Sequence, residues 1–256
     1  MKMFPNEELK IFLDEKAAFY ESRWFIDDDP VKIPHLFSKK EDIEIAGFLT
    51  ATIAWGKRDL ILRAARQIME RMDMSPHAFL LDASRVEIDH FSDFVYRTFS
   101  GIDARYFLKA LAILYRDHGG LHEVFSRGHQ KGGIEGALSG FRDVFMSFGA
   151  PLRTGKHVAD LTKNASAKRL NMYLRWMVRK SSPVDFGLWT NIAPSELLIP
   201  LDVHVAKVAR SLGLLKRKQN DLKAVRELTG QLAQFNPDDP VGYDYALFGL
   251  GRYEDF

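Results

Sequence analysis

From residue 7 to residue 250 the apolar side chains recur at helical intervals, and no alternating run long enough for a buried strand appears, so the chain is expected to be all-α. Residues 7–20 carry Leu9, Phe12, Leu13 and Ala17 at helical spacing after a Pro5-Asn6 start. A proline-rich acidic loop is expected at Asp27-Asp28-Asp29-Pro30. Ser38 with Glu41 has capping-box spacing and should open a helix ending near Trp55-Gly56, with a second helix over 58–72. Ser75-Pro76 reads as an N-cap followed by proline in the first helical position. Helical patterns at 103–117, 121–126 and 134–148 are punctuated by Gly119-Gly120 and Gly132-Gly133. The 160s to 180 are helical, 197–201 is a short apolar run, and 203–212 is a helix closed by Gly213. Helices over 220–235 and 243–250 finish the chain. No internal repeat or low-complexity segment is present.

At 256 residues the chain can bury one large core or two intimate lobes. With 46% hydrophobic and 27% charged residues, disorder, collagen-like repeats and a coiled coil are excluded. The absence of cysteine removes disulfides, thiolate catalysis, zinc–thiolate sites and cysteine-held iron–sulfur clusters, and it suits a reducing compartment. The uncharged apolar stretch 45–56 is too short to span a bilayer, and Met1-Lys2-Met3-Phe4-Pro5 leads into an acidic segment rather than a signal-peptide core. A cytoplasmic protein is expected.

A net charge of +2 argues for no partner, but its distribution does. Residues 1–47 carry seven Lys/Arg against eleven Asp/Glu, whereas residues 153–180 carry eight Lys/Arg against Asp160 alone. In the helix over 166–180, Leu170, Tyr173, Leu174 and Met177 share one face, and Lys168, Arg175 and Arg179 gather on the other. A solvated basic face is the plainer reading of those cations. The functional reading adds Lys163-Asn164-Ala165-Ser166, a tight connection whose backbone amides would point outward at the next helix and bind phosphate. Further along, Ile199-Pro200-Leu201-Asp202 leads into Val203-His204-Val205, with Asp202 where an N-cap belongs. A capping carboxylate is a fixed negative charge beside any cation that develops there.

The run Leu198-Ile199-Pro200-Leu201-Asp202-Val203-His204-Val205-Ala206-Lys207-Val208, followed by Leu212-Gly213-Leu214 and Leu250-Gly251-Arg252, resembles the C-terminal signature of the helix-hairpin-helix DNA glycosylases such as endonuclease III. Asn164-Ala165-Ser166-Ala167-Lys168 has the register of their Gly-x-Gly-x-Lys hairpin with both glycines replaced. The 34-residue step from Lys168 to Asp202 resembles the archaeal glycosylases that remove oxidised guanine. The stretch from Lys168 to Arg179 is closer still to a bacterial branch of the superfamily, for which the resemblance leaves activity open. The likeness is specific over residues 155–252. It implies a two-lobed all-α fold with the active-site cleft between lobes, one lobe over 38–160 and the other built from 1–37 and 161–256, with the hairpin-like segment at 161–180.

The resemblance also implies roles for particular residues. Lys168 falls on the lysine nucleophile and Asp202 on the catalytic aspartate. Read from the residues themselves, Lys163, Asn164, Ser166, Arg175, Arg179, Lys57 and Arg58 are the expected DNA contacts, and Trp55, Phe186, Trp189 and His204 are candidates for the pocket of a flipped base, with Trp55 as core, Lys57 and Arg58 as solvated cations and His204 as local packing the alternative reading. Cleaving an N-glycosidic bond builds positive charge on the sugar, which a fixed carboxylate stabilises. An attacking lysine must be neutral, a form that makes up fewer than about one in a thousand of unperturbed lysines at pH 7, so burial and cations such as Arg175 would have to favour the free amine. The expected activity is base-excision repair: a glycosylase with lyase activity on duplex DNA carrying a damaged base, with an oxidised purine as the candidate, working as a monomer with no cofactor and no metal. His118, His122 and His129 lack a diagnostic ligand spacing. Two other readings remain: a catalytically silent nucleic-acid-binding member, and a protein-interaction scaffold, which the lost hairpin glycines favour.

Overall fold

The computed structural model describes residues 6–254 and Phe256, and those residues are predominantly helical. Pro5, expected at the first helix start, lies outside them. The chain forms two compact units, one from Met1–Phe25 and Asp160–Phe256, the other from Ile26–Ala159. The sequence reading put the first crossing after residue 37. The two 3-10 turns Pro30–Lys32 and Pro34–Leu36 instead pack on the first helices of the inner unit, which moves the crossing back to residue 25.

α1 (Asn6–Tyr20) is followed by the short α2 (Arg23–Asp28), within which the chain passes from one unit to the next. The acidic loop expected here is therefore mostly ordered helix, and Asp29 caps the 3-10 turn after it by accepting from the Val31 N–H at 3.0 Å. The inner unit continues with α3 (Lys40–Ile53), α4 (Arg58–Glu70), α5 (Pro76–Asp82) and α6 (Arg85–Asp89). The Ser38 capping box does not form: α3 starts at Lys40 with Lys39 as its cap and no side-chain bond there. A two-stranded antiparallel hairpin, β1 (Val95–Tyr96) and β2 (Phe99–Ser100), was invisible to a period-two search because each strand is two residues long. α7 (Gly101–Asp117) and α8 (Gly120–Met146) complete the unit.

α8 is two helical segments, as the Gly132-Gly133 punctuation anticipates: Gly133 has φ +59°, where an L side chain is strained. The halves pass so closely that a Cβ on Gly128 would lie 2.5 Å from the Gly136 carbonyl oxygen. The core is aromatic. Phe48 of α3 stacks on Phe107 of α7 at 5.8 Å between centroids, and Phe125 stacks on Phe141 across the α8 halves at 4.3 Å.

In the other unit follow α9 (Lys168–Val178), α10 (Val203–Ser211), α11 (Leu222–Leu232) and α12 (Tyr243–Tyr253). α12 is the centre of this unit, with α1 along one side and α10 along another. Gly249 admits the buried Tyr20 ring: a Cβ there would lie 2.2 Å from it. Tyr20 in turn stacks on Tyr253 at 5.7 Å. No helix among the described residues is long and apolar enough to cross a membrane.

Gly249→Ala is expected to lower unfolding free energy by about 1–3 kcal/mol through overpacking, although alanine is the better helix former by roughly 1 kcal/mol. Urea denaturation measures the sign, and a stabilised variant would show that the α1–α12 contact yields freely.

Candidate active site

The connection before α9 is built from left-handed residues. Asn164 has φ +58° and Ala167 φ +51°, conformations that cost an L residue roughly 1–2 kcal/mol unless its surroundings enforce them. Asn164, standing at the first glycine position of the expected hairpin, tolerates that region better than most residues. The second left-handed residue is Ala167, one position beyond Ser166. Asn164 is fixed from both ends: its Nδ2 donates to Asp221 Oδ2 at 2.8 Å, and its carbonyl accepts the Leu222 N–H at 3.0 Å. Its side chain serves the α11 start, while Lys163 is exposed with Asp160 3.6 Å away. Ser166 is half-buried, and its carbonyl accepts from Asn171 Nδ2 at 3.1 Å.

This turn delivers Lys168 as the first residue of α9. Asp202 caps α10, one carboxylate oxygen accepting the Val205 N–H at 2.9 Å. Its other oxygen lies 3.8 Å from Lys168 Nζ. The two expected catalytic groups, separated by 34 residues in sequence, therefore meet at the starts of two helices, with the lysine side chain 30% exposed and the aspartate 13%.

The other α9 cations differ from expectation. Arg175 and Arg179 are 4% and 5% exposed, and neither offers a free charge to a phosphate. Arg175 is hydrogen-bonded to Asp244 Oδ2 and has its Nε 3.4 Å from Asp185. Arg179 donates to Asp185 at 2.6 Å, to both oxygens of Asp239, and to Glu21 at 2.6 Å. The Tyr245 hydroxyl donates to Asp185 at 2.9 Å while its ring lies under both guanidinium groups. A wheel sorts residues onto faces but cannot say that both faces of α9 are covered; here the second face meets Glu21 just after α1, Asp185 in the segment after α9, Asp239 before α12 and Asp244 in its first turn. A signal existed in Leu174-Arg175-Trp176 and Val184-Asp185-Phe186, where charges stand between residues that bury.

Asp244 matters beyond its ion pair. Burial pushes its carboxyl up to about 7 against the pull of Arg175, with Asp202 and Asp185 adding to the rise and Lys168 opposing it. The carboxyl therefore stands within electrostatic reach of the Lys168–Asp202 pair. Its Oδ1 is buried without a hydrogen-bond partner among the described residues.

The expected pocket residues scatter. Trp189 is fully buried, its backbone N–H donating to the Met177 carbonyl at 2.9 Å and its ring edge-on to Tyr173. It is core rather than pocket lining. Phe186 is half-buried, its N–H donating to the Trp176 carbonyl at 2.7 Å. His204 sits one residue into α10, beside Asp202 in sequence, and its Nδ1 lies 3.0 Å from the Gly251 carbonyl. Trp55, Lys57 and Arg58 belong to the other unit, where Trp55 is half-exposed, Lys57 exposed, and Arg58 3.2 Å from Asp29. No group of three or more His, Cys, Asp or Glu side chains gathers as a metal site among the described residues.

These features define a helical protein with a lysine–carboxylate pair at two helix starts, backed by a buried ion cluster. The chain belongs to the family described as Protein of unknown function (DUF2400), whose model matches residues 29–253. No curated protein and no solved structure matches the chain.

Arg179→Ala is expected to cost about 3–5 kcal/mol of stability, because it removes the cation shared by Glu21, Asp185 and Asp239 and leaves the buried Asp185 with only Arg175 and Tyr245, whereas Lys168→Gln at a part-exposed pair should cost less than about 1 kcal/mol. Equal losses in denaturant titrations would contradict this division of α9. Because burial raises the Asp244 carboxyl from its ordinary carboxylate range to about 7 in the folded chain, the stability it contributes is complete below the unfolded value and is lost as pH climbs through about 7. Asp244→Asn should flatten that fall in denaturation midpoints.

Proposed function

We propose that the protein is a DNA base-excision repair glycosylase of helix-hairpin-helix type, with lyase activity, acting on duplex DNA that carries a damaged base. The observation that carries this reading is the 3.8 Å approach of Lys168 Nζ to Asp202, each at the start of its own helix. Three features of the pair suit the chemistry. The lysine is part-exposed, as a nucleophile that must meet a nucleotide has to be. The aspartate is oriented by the Val205 N–H, so its second oxygen is a fixed charge for the cation that develops on the sugar. The left-handed turn at Asn164 and Ala167 holds the amine at the helix start without glycine.

In this reading the Lys168 ammonium gives a proton to Asp202, the free amine attacks the sugar carbon as the base departs with the bonding electrons and takes up a proton, the sugar ring opens to a Schiff base, and β-elimination expels the 3′ phosphate to cut the strand. Asp202 stabilises the sugar cation. We further propose that the protein works as a cytoplasmic monomer, associated with DNA when bound, without a metal or other cofactor. Arg175 and Arg179 drop out of the proposed DNA surface because their charges are spent internally. Lys163, exposed, stays in it, with Ser166 beside it as a backbone contact. This internal pairing is the specific observation that favours the rival reading of a silent DNA-binding member.

The test is base release and strand incision on a panel of duplexes carrying single damaged bases. Wild type is expected to cut at least one lesion, Lys168→Gln to lose incision, and Asp202→Asn to slow base release by about 10²-fold or more. Binding without base release on every lesion would establish the silent reading, and equal activity in Lys168→Gln would remove the lysine from the mechanism.

A further inference from the structure

The inner unit carries a basic edge at the β1–β2 hairpin, where Arg97, which has no role so far, lies by the loop that bears Lys57, one of the expected DNA contacts. Tyr96 pairs with Phe99, so Arg97 and Thr98 form the tip, and Arg97 has φ +53°. That is a tip position where glycine or asparagine is at ease and arginine is strained. The tip is nonetheless held firmly. The Tyr96 hydroxyl donates to the Trp55 carbonyl at 2.6 Å. Arg153 reaches from behind to donate to the Thr98 carbonyl at 3.1 Å and to Ser100 Oγ at 2.7 Å, with Asp103 3.2 Å away.

Arg97 is laid over the 54–58 loop. A Cβ on Gly56 would stand 2.4 Å from its Nη1, and Gly56 itself has φ +106°, so the loop makes room in both shape and conformation. Lys57 follows directly and is exposed. The side chains of Arg97 and Lys57 make no hydrogen bond or ion pair among the described residues, and the neighbouring carboxylate Asp59 is 3.3 Å from Arg63 instead. A guanidinium on a fixed but strained tip, left without an internal acceptor and set beside a free ammonium, is poised for an external anion with several acceptor oxygens.

We propose that this edge, Arg97 with Lys57 beside it and Arg153 bracing the hairpin, grips the phosphates of duplex DNA. The inference deepens the reading of the protein as one that acts on DNA, and it assigns that work to a hairpin absent from the helical motif on which that reading rests. Phosphate contacts hold register without reading sequence, so the grip is indifferent to the bases.

The test is binding of an undamaged labelled duplex to the full chain across a salt series. The slope of log affinity against log salt is expected to fall in magnitude by about 1 in Arg97→Gly and again in Lys57→Ala, and to stay unchanged in Arg127→Ala, which removes a cation from α8. Arg97→Gly also separates binding from folding: glycine relieves the left-handed strain, so its melting temperature should equal or exceed that of wild type while affinity drops. Unchanged slopes in Arg97→Gly and Lys57→Ala would overturn the grip and leave the enzyme reading standing. Slopes that fall as expected while no lesion is released would do the reverse, and a wild type that binds no duplex at low salt would overturn both.

Discussion

The unit built from Met1–Phe25 and Asp160–Phe256 depends on the burial of two arginines. Arg175 and Arg179 lie two turns and three turns along α9 from Lys168, and between them they engage Glu21, Asp185, Asp239 and Asp244. Burying a guanidinium is costly unless nearly every donor finds an acceptor, and removing either side then leaves an unpaired charge in a water-poor interior. Arg179 meets this demand with three carboxylates, and Tyr245 completes the cluster by donating to Asp185 and stacking beneath both cations. The network joins α9 and the segment after it to the residue that follows α1, to the approach to α12 and to its first turn, so the helix that begins with Lys168 is fixed toward its far end.

That fixation bears on the site. An amine at the first residue of a helix moves with the helix, and α9 is clamped by charges at its far end and by apolar contacts along the other face. α10 is held against α12, where a Cβ on Gly251 would lie 3.1 Å from the His204 backbone oxygen, and Asp202 is the cap of α10. The same helix, α12, therefore sets the position of both partners. Asp244, in its first turn, is the point where the cluster and the pair feel each other's charge.

Much of the helical architecture was legible in the sequence, because the 3.6-residue period survives wherever one face of a helix is buried. The glycine pairs marked the start and the break of α8, and Asp202 was readable as a cap from its place before Val203. The hairpin was not legible, since two-residue strands have no period to detect. The Ser38 signal was misleading because the box spacing alone does not fix where the helix begins. At the site, the register of Lys168 and Asp202 could be read from motif spacing, whereas the fate of Arg175 and Arg179 could not. Their carboxylate partners lie as far as 158 residues away, and only the fold brings Glu21 to Arg179.

The central claim is that Lys168 is the group that bonds to DNA. Reduction with borohydride during incubation with a duplex containing an abasic site, followed by digestion and mass spectrometry of the adduct, locates that bond directly. The account predicts a single sugar adduct on the peptide carrying Lys168, lost when that lysine is replaced. An adduct on another lysine or on the N-terminal amine, with Lys168 unmodified, would contradict it.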